Sequence, residues 1–317
     1  AFPAEERLAL DAATGSGPLG LARAGLAIGR GVVQARSAFR RLDVAVAVGF
    51  GGYPSAPALL AAISQGRPAL LHEQNAVLGR TNRLLAPWVK ALASSFPALE
   101  RVPAGVTGKV RLVGNPVRPD IRVLYDRPYV APVDGGPIRL VVTGGSQGAR
   151  ILSEIVPRAL AALPDPVRTR LRVQQQSRPE MLEAAQDVYR SAGIEAEVAP
   201  FFGDMAARLS AAHLVVGRAG ASTCSELAVS ALPSVLIPLK IAMDDHQRFN
   251  ARGLVDAGAA EMVLEDDVSI ATMTAILGGV LADPARLSAM SAGARSVALP
   301  DASARLADLV EATAGVR

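Results

Sequence analysis

Three glycines, a serine and a glutamine crowd the turn Thr143-Gly144-Gly145-Ser146-Gln147-Gly148, between an apolar run and an Ala/Leu/Arg-rich stretch. Glycines let a backbone come close to a phosphate, and the free N–H groups opening a helix favour negative charge. A dinucleotide fingerprint would place glycine where Thr143 stands and an acidic residue at the end of the next strand. That strand ends in Gln174-Gln175-Gln176, which disfavours a nicotinamide dinucleotide. A Walker A loop needs Gly-Lys-Ser/Thr, and the lysine is absent. Residues 144–148 also spell G-x-S-x-G, a nucleophile-elbow pattern, and Ser146, Glu226 and His246 follow in the order of an α/β-hydrolase triad. A serine hydrolase is therefore one alternative to phosphate binding.

Two further turns lie in the same half of the chain. In Gly217-Arg218-Ala219-Gly220-Ala221-Ser222-Thr223-Cys224-Ser225-Glu226 the end of a strand leads into a helix. Thr223 and Glu226 have capping-box spacing, and Glu226 equally suits the two vicinal hydroxyls of a ribose. Cys224 reads as a small buried residue. In 238–250 the run Asp244-Asp245-His246-Gln247 offers either an N-cap at Asp244 or hydrogen bonds to sugar hydroxyls. Partners for phosphate, ribose and sugar on three turns describe a nucleotide-sugar site.

The first half carries a second set. Gly49-Phe50-Gly51-Gly52-Tyr53-Pro54-Ser55 can cradle another phosphorylated ligand by the same backbone logic. His72-Glu73-Gln74-Asn75 puts four polar residues at the end of a buried strand, which is costly unless they are paired or line a cleft. Arg118, in Asn115-Pro116-Val117-Arg118-Pro119, can reach a phosphate or form a surface ion pair.

The elements that must position these turns are short apolar runs alternating with helical stretches. Strands are expected over 44–48, 69–71, 90–94 and 110–113. A Pro/Gly/Asp-rich linker follows at 128–137, and further strands at 138–143, 170–175, 195–199, 214–217 and 235–237. Continuous apolar strands separated by helices mean parallel sheets covered on both faces. The repeated rhythm predicts two Rossmann-like α/β domains, 1–127 and 128–299, with a last helix in 300–317 able to pack back on the first.

Composition limits the alternatives. The 317 residues are 50% hydrophobic, 20% charged and 4% aromatic, with a net charge of +4. That is a globular balance, with few rings for stacking on nucleic acid and too small a positive excess for DNA binding. A single cysteine excludes an internal disulfide, and three scattered histidines give no metal-ligand spacing. The stretch 19–41 intersperses Arg23, Arg30, Arg36, Arg40 and Arg41 with Leu26, Ile28, Val32, Val33 and Phe39. It reads either as a helix on an anionic membrane surface or as one packed on the sheet with a solvated arginine edge. Residues 84–88, ending in Trp88, are a second membrane candidate.

Together these turns resemble those of the MurG family of peptidoglycan glycosyltransferases. The resemblance is carried by 51–55, 72–75, 114–118, 144–150, 201–206, 217–226 and 245–251, in order along nearly the whole chain. It implies a GT-B fold, two Rossmann-like domains facing across a cleft. It also implies inverting transfer of N-acetylglucosamine from UDP-N-acetylglucosamine to lipid I, forming lipid II, with no cofactor or metal required.

By position, Ser146 with Gly144, Gly145 and Gly148 would hold the donor diphosphate, and Glu226 the ribose. Ala221, Ser222, Thr223, Cys224 and Ser225 would line the nucleotide pocket, and Phe202 would present its backbone to the uracil. Gln247 would contact the sugar, with Asn75 and Arg118 reaching the donor. Gly51, Gly52, Tyr53, His72 and Glu73 would belong to the acceptor side. The implied partners are UDP-N-acetylglucosamine, polyprenyl-linked lipid I and an anionic membrane surface, without nucleic acid, on the cytoplasmic side of the bacterial inner membrane.

The family opens with a Gly-Gly-Thr-Gly-Gly-His loop, and nothing like it precedes Val44. The expectation is that at least one βαβ unit lies outside this sequence, together with the family's general base. On that expectation the chain binds donor weakly and transfers sugar slowly, or is a non-catalytic donor-binding remnant.

Overall fold

The structure, a computed structural model, describes residues 7–15, 17–145 and 149–315. The chain forms two compact units, 1–115 with 301–317, and 116–300. Ser146, Gln147 and Gly148 lie outside the described residues.

Unit 1 begins with α1 (Gly17–Leu42) and continues through β1 (Ala47–Gly49), α2 (Ala56–Ser64), β2 (Ala69–Glu73), α3 (Arg80–Leu85), β3 (Ala91–Ser94) and β4 (Val110–Leu112). Its four strands lie in the order β1-β2-β3-β4, all parallel. One side of the sheet is filled by Leu59, Leu71, Leu78, Leu92 and Val106. Helix α1 buries Ala24, Gly31, Ala35 and Ala38, which fall on one helical stripe. Small side chains there let its backbone come close: a Cβ on Gly31 would lie 3.0 Å from the side chain of Pro57 on α2.

Unit 2 contains α4 (Pro119–Arg122), β5 (Ile138–Thr143), α5 (Arg150–Ala161), α6 (Asp165–Arg168), β6 (Leu171–Gln176), α7 (Leu182–Ser191), β7 (Glu195–Ala199), α8 (Met205–Ala211) and β8 (Leu214–Gly217). It continues with α9 (Ala221–Val229), β9 (Ser234–Leu236), α10 (His246–Asp256), β10 (Ala260–Met262), α11 (Ile270–Leu281) and α12 (Pro284–Ser296). The six strands are parallel in the order β10-β9-β8-β5-β6-β7. The chain thus starts in the middle of the sheet, winds outward one way, and returns to wind the other. This doubly wound order has a switch point between β5 and β8, where ligands bind beyond the carboxyl ends of the strands. Ile138, Leu140 and Val142 of β5 are buried against Val156 and Leu160 of α5, which explains the uninterrupted apolar run of that strand. Ser269 and Asp283 cap α11 and α12 by accepting hydrogen bonds from Thr272 N (3.0 Å) and Arg286 N (2.9 Å).

The last helix, α13 (Ala302–Ala314), belongs to unit 1, where Leu306 packs with Leu70, Ala93 and Val113. The first division between units falls after Asn115, earlier than the Pro/Gly-rich stretch expected to separate them, so residues 116–127 belong to unit 2. Ile121 and Leu124 are buried there, which anchors the segment by ordinary apolar burial. Among the described residues no single helix is long and apolar enough to cross a membrane.

Candidate functional site

A cavity of about 310 Å³ opens in unit 2 among Arg118, Thr143, Gly145, Gln176, Phe202, Thr223 and Glu226. Its floor is the switch point itself. Thr143 ends β5 and donates its hydroxyl to Gln176 Oε1 at 2.9 Å, and Gln176 Nε2 donates to the Pro200 carbonyl at 3.2 Å. The ends of three neighbouring strands are tied together by side chains at this point. Gly145 continues from Thr143 with φ of 74°, in the left-handed region that glycine enters without strain. Gly217, at the end of β8, is needed for a different reason. A Cβ there would lie 3.0 Å from the Thr143 carbonyl, so only glycine lets β8 and β5 end this close.

Helix α9 supplies the polar wall. It begins at Ala221 after Gly220, with no side-chain cap, so Glu226 stands in the second turn rather than the first. The capping-box reading of Thr223 and Glu226 is therefore overturned, and the carboxylate is left for other work. Glu226 lies 3.5 Å from Arg118 Nε, with its side chain 20% exposed. Burial pushes the carboxyl above its usual range, and the guanidinium of Arg118 pulls it back down. Thr223 lines the cavity, Ser222 is exposed, and Ala221 and Ser225 are half-buried. Cys224 points into the core, where burial pushes its thiol up to about 12. It remains a thiol at neutral pH and is no nucleophile.

The opposite wall is apolar. Phe201, Phe202, Met205 and Leu209 line the cavity, although Phe201 is 72% exposed. Arg208 stacks over the Phe202 ring at 3.8 Å and is held there by Glu197 (2.6 Å) and Asp204 (2.7 Å). The sequence singled out Phe202 but missed Arg208, Thr143 and Gln176. The last of these had a readable signal, since a polar trio ending a buried strand is the pattern that drew attention to His72 and Glu73.

The loop after β9 is braced from both sides. Gln247 accepts a hydrogen bond from Leu239 N at 3.0 Å, and Glu265 accepts one from Lys240 N at 2.8 Å while pairing with the buried Arg218 at 3.0 Å. Asp244 and Asp245 are both left-handed, with φ of 57° and 58°. Asp245, not Asp244, precedes α10, and it makes no side-chain cap. His246 is engaged through Nδ1 with the Met243 carbonyl at 2.8 Å. With Glu226 held by Arg118 and His246 by this loop, the two have partners other than each other, which does not favour a hydrolase triad.

In unit 1, Gly51 and Gly52 follow β1 with φ of 85° and 71°. Gly52 combines that φ with ψ of 167°, a region essentially open to glycine alone. Tyr53 is exposed on the short 3₁₀ turn that follows. His72 is buried, its Nε2 3.1 Å from the Gly114 carbonyl and 3.3 Å from Ser95 Oγ. Burial lowers its basicity, so it is neutral near pH 7. Glu73 faces inward and organises the next loop. Its Oε1 accepts from Asn75 N (3.0 Å) and Asn75 Nδ2 (3.3 Å), and its Oε2 from Gly79 N (2.9 Å) and Asn82 Nδ2 (2.8 Å).

Two parallel α/β units, one carrying a half-polar, half-aromatic cavity at its switch point, define the doubly wound class of nucleotide-binding proteins. The chain belongs to glycosyltransferase family 28: the family's N-terminal domain matches residues 6–94 and its C-terminal domain residues 139–306. It is 59% identical over 315 residues to the UDP-N-acetylglucosamine–N-acetylmuramyl-(pentapeptide) pyrophosphoryl-undecaprenol N-acetylglucosamine transferase of Caulobacter vibrioides strain NA1000 / CB15N, covering 99% of this chain and 87% of that one. It is 47% identical to the transferase of the same name from Rhodospirillum centenum, over 96% of this chain and 80% of that one. Among solved structures it is similar to Acinetobacter baumannii MurG, with a TM-score of 0.77 and 32% identity over 91% of this chain and 81% of that one. This agrees with a GT-B fold. A Staphylococcus aureus MnaA–UDP co-structure shares the fold alone, at 13% identity and a TM-score of 0.65.

Proposed function

We propose that the chain transfers N-acetylglucosamine from UDP-N-acetylglucosamine to lipid I, forming lipid II. The observation that carries this reading is the 59% identity to a transferase of that name along 99% of the chain. The unit 2 cavity supports the donor side of it. In this reading Glu226 accepts hydrogen bonds from the ribose hydroxyls, and Phe202 offers backbone to the uracil. Residues Ala221 to Ser225 line the nucleotide, and Gln247 meets the sugar. Arg118, fixed beside Glu226, adds positive charge toward the donor, and Asn75 is assigned to the donor by its position in the family's motif. Gly144 and Gly145, with Ser146 and Gly148 beyond the described residues, hold the diphosphate ahead of α5. The helix dipole and free N–H groups there favour the charge that grows as UDP leaves. The acceptor 4-hydroxyl loses its proton to a base and attacks the anomeric carbon. That C–O bond forms as the bond to the diphosphate breaks, with inversion. Gly51, Gly52, Tyr53, His72 and Glu73 shape the acceptor side.

Incubation with labelled UDP-N-acetylglucosamine and lipid I should yield labelled lipid II and UDP in equal amounts. Release of UDP without lipid-linked label would sink the proposal.

The acceptor's polyprenol chain requires a bilayer, and α1 is suited to meet one. Leu19, Arg23, Leu26, Arg30 and Val33 recur at helical spacing on one stripe, away from the buried small residues. Leu19, Leu26 and Val33 are 79%, 65% and 68% exposed. Leu84 of α3 and Trp88 just after it are exposed as well. Apolar side chains among arginines fit an anionic leaflet, which supports a peripheral position on the cytoplasmic side of the inner membrane. Phosphatidylglycerol vesicles should therefore co-sediment with the protein, less so in high salt and at least tenfold less with Leu19→Glu and Leu26→Glu together. Binding that is unchanged in the double variant would remove α1 from this role.

A further inference from the structure

A second and larger cavity, about 650 Å³, lies on the same sheet as the donor cavity but toward the opposite ends of its strands. Arg139 is the second residue of β5 and Arg172 the second of β6, and the two are direct partners in the parallel register. Partnered residues point to the same face, so two guanidinium groups stand side by side. Like charges in this position weaken a sheet unless something negative answers them. Glu195, partner of Arg172 on β7, lies 2.7 Å from it and answers that one. Glu197 answers Arg208 at 2.6 Å on the far wall. Arg139 and Arg170 also line the cavity, and among the described residues neither forms an ion pair with a carboxylate. Arg170 donates instead to the carbonyls of Gly136 (2.7 Å) and Val133 (2.9 Å).

The field of these two groups is felt behind the cavity. His213 accepts a hydrogen bond from Arg139 N at 3.0 Å through Nδ1. Burial, and then Arg139 and Arg170, hold its imidazole down at about 4. His213 therefore adds no charge of its own, and of the four arginines lining the cavity Arg172 and Arg208 are paired with Glu195 and Glu197 while, among the described residues, Arg139 and Arg170 are not. From Arg139 to Thr143 is four residues along one strand, roughly 13 Å, so the arginine end of this cavity lies away from the switch-point site, while Arg208 on its far wall stacks on Phe202 of that site.

We propose that this cavity is a second ligand site of unit 2, which takes a phosphate or diphosphate group carried on a small soluble molecule, with Arg139 as its principal contact. A planar guanidinium presents paired N–H donors that match phosphate oxygens, and such bonds are short and strong. The volume exceeds that of one phosphate group and leaves room for an attached sugar or nucleoside.

Inorganic pyrophosphate is the probe, titrated calorimetrically with saturating UDP present to fill the donor cavity. The wild-type protein should still bind pyrophosphate saturably. Arg139→Gln should weaken that binding at least tenfold, Arg139→Lys less, and neither should change the affinity for UDP. Arg139 is exposed and braces nothing in the fold, so both variants should melt like the wild type. No saturable binding under saturating UDP, or equal binding by Arg139→Gln, overturns the site. If pyrophosphate fails to saturate while Arg139→Gln loses phosphatidylglycerol vesicles, the phosphate belongs to a lipid headgroup and the soluble assignment falls. Should UDP itself not bind, the donor reading fails, and the comparison of wild type with Arg139→Gln still reports on the second cavity.

Discussion

Replacing Glu226 by alanine is expected to weaken UDP-N-acetylglucosamine binding by about a hundredfold while leaving the thermal midpoint nearly unchanged. A carboxylate bridging two ribose hydroxyls makes two charge-assisted hydrogen bonds, and losing them costs about 3 kcal/mol together. The side chain is only half-buried and faces a cavity, so its removal opens no void in the core. Glu226→Gln keeps the shape and one acceptor, and should fall between the two. Arg118→Ala removes the group that pulls the Glu226 carboxyl down, leaving burial unopposed. In that variant the carboxyl protonates at a higher pH, so donor affinity should begin to fail at a higher pH than in the wild type as the solution is acidified. Calorimetric titration across pH measures both effects. A Glu226→Ala variant that binds donor as tightly as the wild type would refute the ribose assignment.

Glu73→Ala should destabilise unit 1 by about 3–5 kcal/mol, the summed cost of leaving several donors without their acceptor at about 1–3 kcal/mol each. The carboxylate is 4% exposed, and four hydrogen bonds from Asn75, Gly79 and Asn82 converge on it. Its removal strands the Asn82 amide in the core and leaves the part-buried Asn75 and Gly79 donors without their acceptor. The thermal midpoint should drop by about 10 °C. Glu73→Gln restores the volume but turns an amide N–H₂ toward N–H donors, and should recover only part of the loss. A midpoint shift of less than a few degrees for Glu73→Ala would mean that the loop after β2 holds its shape without the carboxylate.

Glu226 and Glu73 also differ in how much of their surroundings the sequence alone foretells. Strands such as Ile138–Thr143 and Leu214–Gly217 were legible because both faces are covered, which makes their apolar runs continuous. Ala260–Met262 was not, since Ala-Glu-Met carries no β-branched residue and forms a strand only by pairing with β9. The end of β2 was legible as a place where polar groups must find partners. Which way Glu73 turns depends on Asn82, nine residues away, and no local pattern contains that. The spacing of Thr223 and Glu226 suggested a cap because an i, i+3 spacing is shared by caps and by helix interiors. Gly220 decided between them by starting the helix earlier. The aromatic wall of the cavity needs Phe202, Met205 and Leu209 brought against the end of β5, a tertiary fact that hydrophobicity alone leaves open.

Unit 2 occupies one unbroken stretch of chain, 116–300, with unit 1 supplied from both sides of it. The polypeptide therefore passes between the units twice, and cutting one crossing leaves the other as a tether. In genetic terms unit 2 is a cassette: a single stretch of coding sequence with two junctions encodes every described residue that lines the switch-point cavity. Unit 1 has no such continuity. Leu306 of α13 fills its sheet beside Leu70 and Ala93, so any exchange of unit 1 has to bring the far end of the chain along.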